Sequence, residues 1–397
     1  MTTILRLLGG RLEWLICLGV FAALLLVVLP LAFNGYFLNL LGRYLALAFV
    51  AIGLVMCWGY GGMLSLGQGV FFGLGGYAMA MFLKLEASTP EATARQSTPG
   101  IPDFMDWNQL TALPWWWEPF NSFSFTLAAL LLIPAAVAYV FGYALFKRRV
   151  SGVYFAIVTL SLAAAMSILI VGQQGYTGGA NGITDFQTLL GWDITTDSAR
   201  YVIYYICVFL LLGCILLGQW ILSSRAGRVL IAVRDEENRV RFSGYSVEDF
   251  KIFVFMVAAV FSAIGGAMYA LQASFISPSQ VGIGLSVELV VLCAVGGRFS
   301  LLGAAFGALL IKTAEMYLSD LFPQLWTILF GLILLVVVLA FPKGLAGLYE
   351  LTRDYALAHF GSSQSDAAVE EHADKRSLHG REEGFLVRAK RILGGIR

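Results

Sequence analysis

Ten times between residues 12 and 341 the sequence returns to a mostly apolar run: 12–33, 36–57, 64–84, 123–146, 151–172, 201–222, 250–273, 286–297, 300–318 and 324–341. About 20 apolar residues in helical conformation cross the hydrocarbon core of a bilayer, and most of these runs have that length. Lipid offers backbone groups no hydrogen bonds, so each run must satisfy its own as a helix. The expected fold class is an all-α polytopic membrane protein of about ten transmembrane helices. The run at 286–297 is short and ends on Gly296-Gly297, which reads as a broken or half-length helix. Composition agrees: 59% of the 397 residues are hydrophobic and 13% charged, where soluble domains carry about 25% charged residues. The net charge of +1 identifies no partner.

Lysine and arginine set the expected orientation. With the N-terminus inside, the cytoplasmic connections hold Arg6, Arg11, Lys147-Arg148-Arg149, Arg225, Arg228, Arg234, Arg239, Arg241, Arg298 and Lys343. The external connections hold Arg95, Arg200 and almost nothing else. N-in and C-in follows. The first run is too long for a signal-peptide core and lacks a small-x-small cleavage site, so it reads as a retained helix. The five cysteines, Cys17, Cys57, Cys207, Cys214 and Cys293, all lie in apolar runs, which argues against a disulfide framework. Residues 1–350 read as one transmembrane domain with a long external loop at 85–122 and a cytoplasmic segment at 223–250. Trp107, Trp115, Trp116 and Trp117 in that loop, with Trp192 in the next, are expected at the outer membrane interface. Residues 351–397 read as a charged cytoplasmic tail, largely disordered. It holds all three histidines, His359, His372 and His379, at irregular spacing without cysteine, so no metal site is expected there.

The stretch Trp58–Tyr77, W-G-Y-G-G-M-L-S-L-G-Q-G-V-F-F-G-L-G-G-Y, is crowded with glycine. Glycine weakens a helix in water, but small residues let membrane helices approach closely. Its polar side chains are Ser65, Gln68, Tyr60 and Tyr77. Two readings fit them, tight packing or the lining of a translocation pathway, and the second is preferred for Ser65 and Gln68. Three apart, these two would share a face if the segment is helical. The segment Gly61–Leu66, G-G-M-L-S-L, is echoed by G-G-R-F-S-L at Gly296–Leu301, through either a duplication or chance re-use of a tight turn.

Ser223–Lys251 is too polar to span and too regular for a linker. Val229, Leu230, Val233 and Val240 fall near one helical face. Asp235 with Arg239 and Glu237 with Arg241 are i,i+4 pairs in the favourable order. Ser243-Gly244 should end the helix, and Ser246-Val247-Glu248-Asp249 looks like a capping box opening the next span. Such a helix could pass a push from a soluble partner into the membrane, or be a solvated surface helix. Inside the spans Arg43, Glu288, Lys312 and Glu315 carry charge, and Lys312 and Glu315 can pair at i,i+3. Glu288 near a helix start is expected as a cap or as an outer-vestibule contact. Gly172–Thr184, with Thr177 and Asn181, is a flexible loop or a polar entrance. No P-loop, catalytic triad or metal motif occurs, and no cofactor is expected. An ion-coupled secondary transporter would be expected to show paired midplane carboxylates in symmetric halves, which the sequence lacks. A passive channel would need no coupling helix.

These residues together resemble the permease family of branched-chain amino-acid and urea importers driven by an ATP-binding cassette. The carriers are Gly62–Phe72, Ser151–Leu160, Gly175–Thr184, the segment around Gly227–Gly244, Phe275–Pro278, Ser286–Glu288, Gly296–Arg298 and Phe341–Leu348. The strings Q-Q-G-Y-T-G-G-A-N-G-I-T, S-P-S-Q-V-G-I and L-F-P-Q-L-W look most like the second permease of urea transporters. Gln68 stands where that family often has histidine, and Phe299 where a small residue is usual. The resemblance implies a bacterial inner-membrane permease subunit and not an enzyme. Its expected partners are a second permease, two cytoplasmic ATPases and an extracytoplasmic binding protein, with urea as substrate and no nucleic acid. Ser65, Gln68, Tyr77, Thr177, Asn181 and Glu288 are the candidates for the pathway. Gly227, Ala232, Arg234, Asp235, Glu236 and Glu237 are the candidates for ATPase coupling.

Overall fold

A computed structural model describes residues 2–321, 325, 328, 331, 332 and 344–347. Among the described residues eight helices are long and apolar enough to cross a membrane: α1 Leu12–Ala32, α2 Gly35–Tyr60, α3 Gln68–Ala87, α4 Phe123–Phe146, α5 Gly152–Gly172, α6 Asp197–Ser223, α8 Val247–Ala273 and α10 Leu301–Leu321. Between them lie the polar α7, Arg225–Phe242, and the apolar α9, Ile283–Gly296. The 14 residues of α9 reach about 21 Å, short of a full crossing, as the sequence suggests. Of the expected span at 324–341 only residues 325, 328, 331 and 332 are described, and the tail at 351–397 lies outside the described residues. The chain divides into two compact units, Met1–Ala346 and Gly347–Arg397, and α1 to α10 all belong to the first.

The core is α8 packed tightly between α2 and α3. Their facing surfaces are small: Ala46, Ala48, Ala51, Gly73, Gly75, Gly76, Ala258, Ala259, Ala263, Gly265, Gly266 and Ala270 are buried. A Cβ on Gly75 would run into the Ala263 carbonyl, and one on Gly266 into the Phe72 carbonyl. The absence of side chains at these two positions is what lets α3 and α8 touch backbone to backbone. Close contact of this kind supplies dispersion and polar backbone interactions that lipid tails would not offer. Around the trio, α4, α6 and α10 pack on one side only, and α1 is mostly uncovered in this chain.

The connections gather at two ends. At one, Lys84 Nζ donates to the Thr184 carbonyl at 2.9 Å and pairs with Asp103 at 2.8 Å. Glu86 accepts the Leu190 and Gly191 N–H groups. Ile183 and Thr184 pair antiparallel with Ile276 and Phe275. The loop 85–122 therefore folds back onto the chain, and its tryptophans divide. Trp107 and Trp115 are exposed, whereas Trp117 is fully buried against Phe104 and is a core residue, not an interface anchor. The other end carries α7 and the two echoed turns, 61–67 and 297–300.

Candidate translocation and coupling site

The glycine-rich stretch is not one helix. α2 ends in a wide π turn, Val55–Tyr60, Gly62 adopts a left-handed φ of +68°, and regular helix resumes only at Gln68. Ser65 thus sits on irregular backbone, and the shared helical face expected of Ser65 and Gln68 does not exist. Both side chains are fully buried. Irregular backbone at membrane depth is tolerated only where its polar groups find partners. Here Leu66 N–H donates to Thr159 Oγ1 on α5 at 3.0 Å, and Gly69 N–H donates to Ser286 Oγ on α9 at 3.2 Å. Ser262 Oγ on α8 donates to Gln68 Oε1 at 3.0 Å, while Gln68 Nε2 is buried without a partner among the described residues. Thr159 and Ser262 are the supports that sequence reasoning missed. Their one signal was a hydroxyl inside an otherwise apolar run.

The remaining pathway candidates stand apart from this pair. Tyr77 is buried further along α3 with its hydroxyl unpartnered among the described residues. Thr177 has its hydroxyl committed to the carbonyls of Ile170 and Gln173 at 2.7 and 2.8 Å, and Asn181 is exposed nearby. Glu288 caps nothing, because α9 begins at Ile283. Instead it pairs with Lys312, which also holds Glu315 at 2.6 Å as the i,i+3 spacing suggested. Arg43 Nε donates to the Gln272 carbonyl at 3.2 Å. Arg43, Tyr44, Tyr269, Gln280, Glu288 and Lys312 line a cavity of about 450 Å³. A cluster of four charges inside the spans was not legible, because its members come from α2, α9 and α10.

At the opposite end α7 is kinked, with Glu236 at φ −150° and ψ 77°. Glu237 beyond the kink pairs with Arg241 at 2.9 Å, as expected, and with Lys251 of α8 at 2.7 Å. Arg241 also reaches Glu248 at 3.2 Å. Asp235 pairs with its neighbour Arg234 at 2.9 Å and not with Arg239, since the break at Glu236 spoils the i,i+4 geometry. Ser246 precedes α8 without a side-chain cap, so the expected capping box is not formed. Leu230 and Val233 are buried and Ala232 is exposed, so the apolar face is the inner one. Gly227 abuts the Leu222 carbonyl where α6 turns into α7. Arg234 Nη1 donates to the Gly59 carbonyl at 2.8 Å. A cavity of about 220 Å³ lies between α7 and the turn, lined by Gly61, Gly62, Met63, Arg234, Glu237 and Lys251 among others.

The profile of a family described as "Branched-chain amino acid transport system / permease component" matches residues 36–338. The chain is 26% identical over 318 residues to the high-affinity branched-chain amino acid transport system permease protein LivM of Salmonella typhimurium, covering 75% of this chain and 66% of that protein. It is 25% identical to LivM of Escherichia coli over the same shares of each chain. It is 26% identical over 198 residues to the autoinducer 2 import system permease protein LsrC of Yersinia enterocolitica, covering 48% of this chain and 52% of LsrC. The chain thus spans just under two thirds of the length of the LivM proteins it matches. No solved structure matches it significantly. Its relatives are named as permeases, not as enzymes. With eight candidate spans among the described residues and a family match over residues 36–338, this chain is a multi-pass inner-membrane protein that belongs to the branched-chain amino acid transport permease family.

Proposed function

We propose that this chain is a permease subunit of an ATP-driven importer for urea. It pairs with a second permease, two cytoplasmic ATPases and an extracytoplasmic substrate-binding protein. The observation that carries the reading is α7. It is an 18-residue polar helix held between two spans, bonded to the turn before Ser65 through Arg234 and to α8 through Glu237 and Lys251. A force applied to α7 from the cytoplasm reaches Gly59–Gly69 without passing through a flexible linker. N-in and C-in topology puts α7 on the ATPase side, and the loops at 85–122 and 173–196 on the binding-protein side.

Urea is supported by the Q-Q-G-Y-T-G-G-A-N-G-I-T resemblance and by the neutral character of Ser65 and Gln68. A hydroxyl and an amide offer donors and acceptors without holding a substrate through charge, which suits release. A second reading, a branched-chain amino acid, has one observation in its favour. The cavity of Arg43, Glu288 and Lys312 offers both signs of charge to a zwitterion. Lys312 is already neutralised by Glu288 and Glu315, which weakens that case. The test is uptake by the full complex in proteoliposomes, with radiolabelled urea and leucine supplied separately. The reading expects ATP-dependent uptake of urea and none of leucine; leucine uptake alone would replace it with the second reading.

A further inference from the structure

Aromatic rings and guanidinium groups alternate in a stack at the α7 end. Arg298 lies over the Trp58 ring, its Cζ 5.4 Å from the centroid, and over the Phe299 ring at 4.7 Å. Arg234 lies over the same Phe299 ring at 5.4 Å. Trp58 belongs to the end of α2, Arg298 and Phe299 to the turn before α10, and Arg234 to α7. The stack therefore ties three elements that are far apart in sequence. Two bonds to backbone hold them in register: Arg234 Nη1 donates to the Gly59 carbonyl at 2.8 Å, and Tyr60 Oη donates to the Phe299 carbonyl at 2.9 Å. A Cβ on Gly59 would run into the Arg298 carbonyl, so the end of α2, just before the 61–67 turn, meets the 297–300 turn backbone to backbone.

Two features separate this contact from ordinary packing. Phe299 is 37% exposed, so burial of its ring is incomplete, and two guanidinium groups lie against it. Arg298 Nε is buried and makes no hydrogen bond among the described residues, where the contacts shown for this guanidinium are with the Trp58 and Phe299 rings. A ring face attracts a guanidinium without the directional lock of a bidentate carboxylate pair. Such a contact stays attractive while the partners shift laterally. Asp235 orients the Arg234 fork from the side at 2.9 Å.

We propose that Phe299 is a positioning residue that transmits displacement of α7 to both glycine turns, with Arg234 and Arg298 as its two grips. This rests on the importer reading of α7. When α7 shifts, Arg234 draws the Gly59 carbonyl and the Phe299 ring together, so the turns at 61–67 and 297–300 move as one. An aromatic ring is required at 299; an aliphatic side chain of similar volume fills the space but offers no face to either cation.

The experiment uses the full complex with ATPases and binding protein in proteoliposomes. The probe is whichever of radiolabelled urea and leucine the parental complex takes up. The readout is substrate taken up per ATP hydrolysed, beside the yield of assembled complex. Phe299→Tyr should stay within about twofold of the parental ratio, and Phe299→Leu should fall about tenfold at parental yield. A parental ratio for Phe299→Leu, or an equal fall for Phe299→Tyr, overturns the proposal. Should Phe299→Leu assemble poorly, Arg234→Gln supplies the same test, with the same fall expected and an unchanged ratio overturning the proposal. A parental chain that retains no ATPase overturns the importer reading and this proposal with it. A transporting parental complex whose variants keep its ratio overturns this proposal alone.

Discussion

Removing one hydroxyl from α5 should destabilise the fold measurably. Thr159 is 1% exposed, and its Oγ1 accepts the Leu66 N–H at 3.0 Å. Thr159→Val keeps the shape of the side chain and removes the acceptor. In a regular helix such an amide would have a backbone carbonyl four residues earlier to fall back on. Leu66 lies on irregular backbone between Gly62 and Gln68 and has no such alternative. Leaving a buried donor unsatisfied costs about 1–3 kcal/mol. Side-chain hydrogen bonds between membrane helices average nearer 0.6 kcal/mol, because the unfolded chain in the membrane also finds partners. The irregular backbone decides for the larger figure, and we expect about 1.5 kcal/mol, or roughly a tenfold shift in the unfolding equilibrium. The assay is reversible unfolding in mixed micelles. Thr159→Ser should behave as the parent. Ser161→Ala, an exposed hydroxyl on the same helix, should stay within about 0.5 kcal/mol. If Thr159→Val unfolds with the parental midpoint, the irregular turn is not held by this bond and the reasoning fails.

Gly75→Val should force α3 off the Ala263 carbonyl, costing about 1–3 kcal/mol or more, read as lost yield of folded protein; parental yield would show that the helices do not touch there. Ala232→Pro should break the first half of α7, at about 3 kcal/mol for the helix, and abolish uptake while the protein still inserts; normal uptake would remove α7 from the mechanism. The Asp193 carboxylate, fully exposed, is held below the ordinary range first by the Thr195 hydroxyl and then by its N–H, at 2.7 and 2.8 Å. Its contribution to the 188–197 loop is therefore complete above the unfolded-state pKa and lost as pH falls through the lower folded one. The protection factor of the Thr195 amide should fall only in that acid window, and a protection factor independent of pH would contradict the assignment. Cysteines at Ala92 and Ser198, both exposed, should react with an impermeant thiol reagent in intact cells, and one at Asn238 should not. The opposite pattern inverts the topology.

The helical, polytopic character of the chain was legible because apolar length is a local property. The half-length α9 was legible from Gly296-Gly297, and the pairs Glu237–Arg241 and Lys312–Glu315 from their spacing alone. The partners that make the candidate site were not. Thr159, Ser262 and Ser286 lie on three helices and converge on the 65–69 segment only after packing, Thr159 and Ser286 on its backbone and Ser262 on the Gln68 side chain. Glu288 read as a cap or an outer-vestibule contact, because its partner Lys312 is 24 residues away on another helix. The break at Glu236 has no glycine or proline to announce it, and Asp235 lost its expected partner there. Phe299 stands out in a glycine turn of the sequence, and the Arg234 and Arg298 guanidinium groups that lie over its ring come from α7 and from the preceding position.

The central claim is that α7 is where an ATPase pushes on this chain. Its most direct measurement is site-specific photo-crosslinking in the assembled transporter, from a photoreactive residue at the exposed Ala232 and, as control, at the exposed Ala92. The account predicts a crosslink from position 232 to the ATPase subunit, changed in yield when ATP is trapped, and a crosslink from position 92 to the binding protein or to none. An intact complex that crosslinks to the ATPase from position 92, or never from position 232, would contradict it.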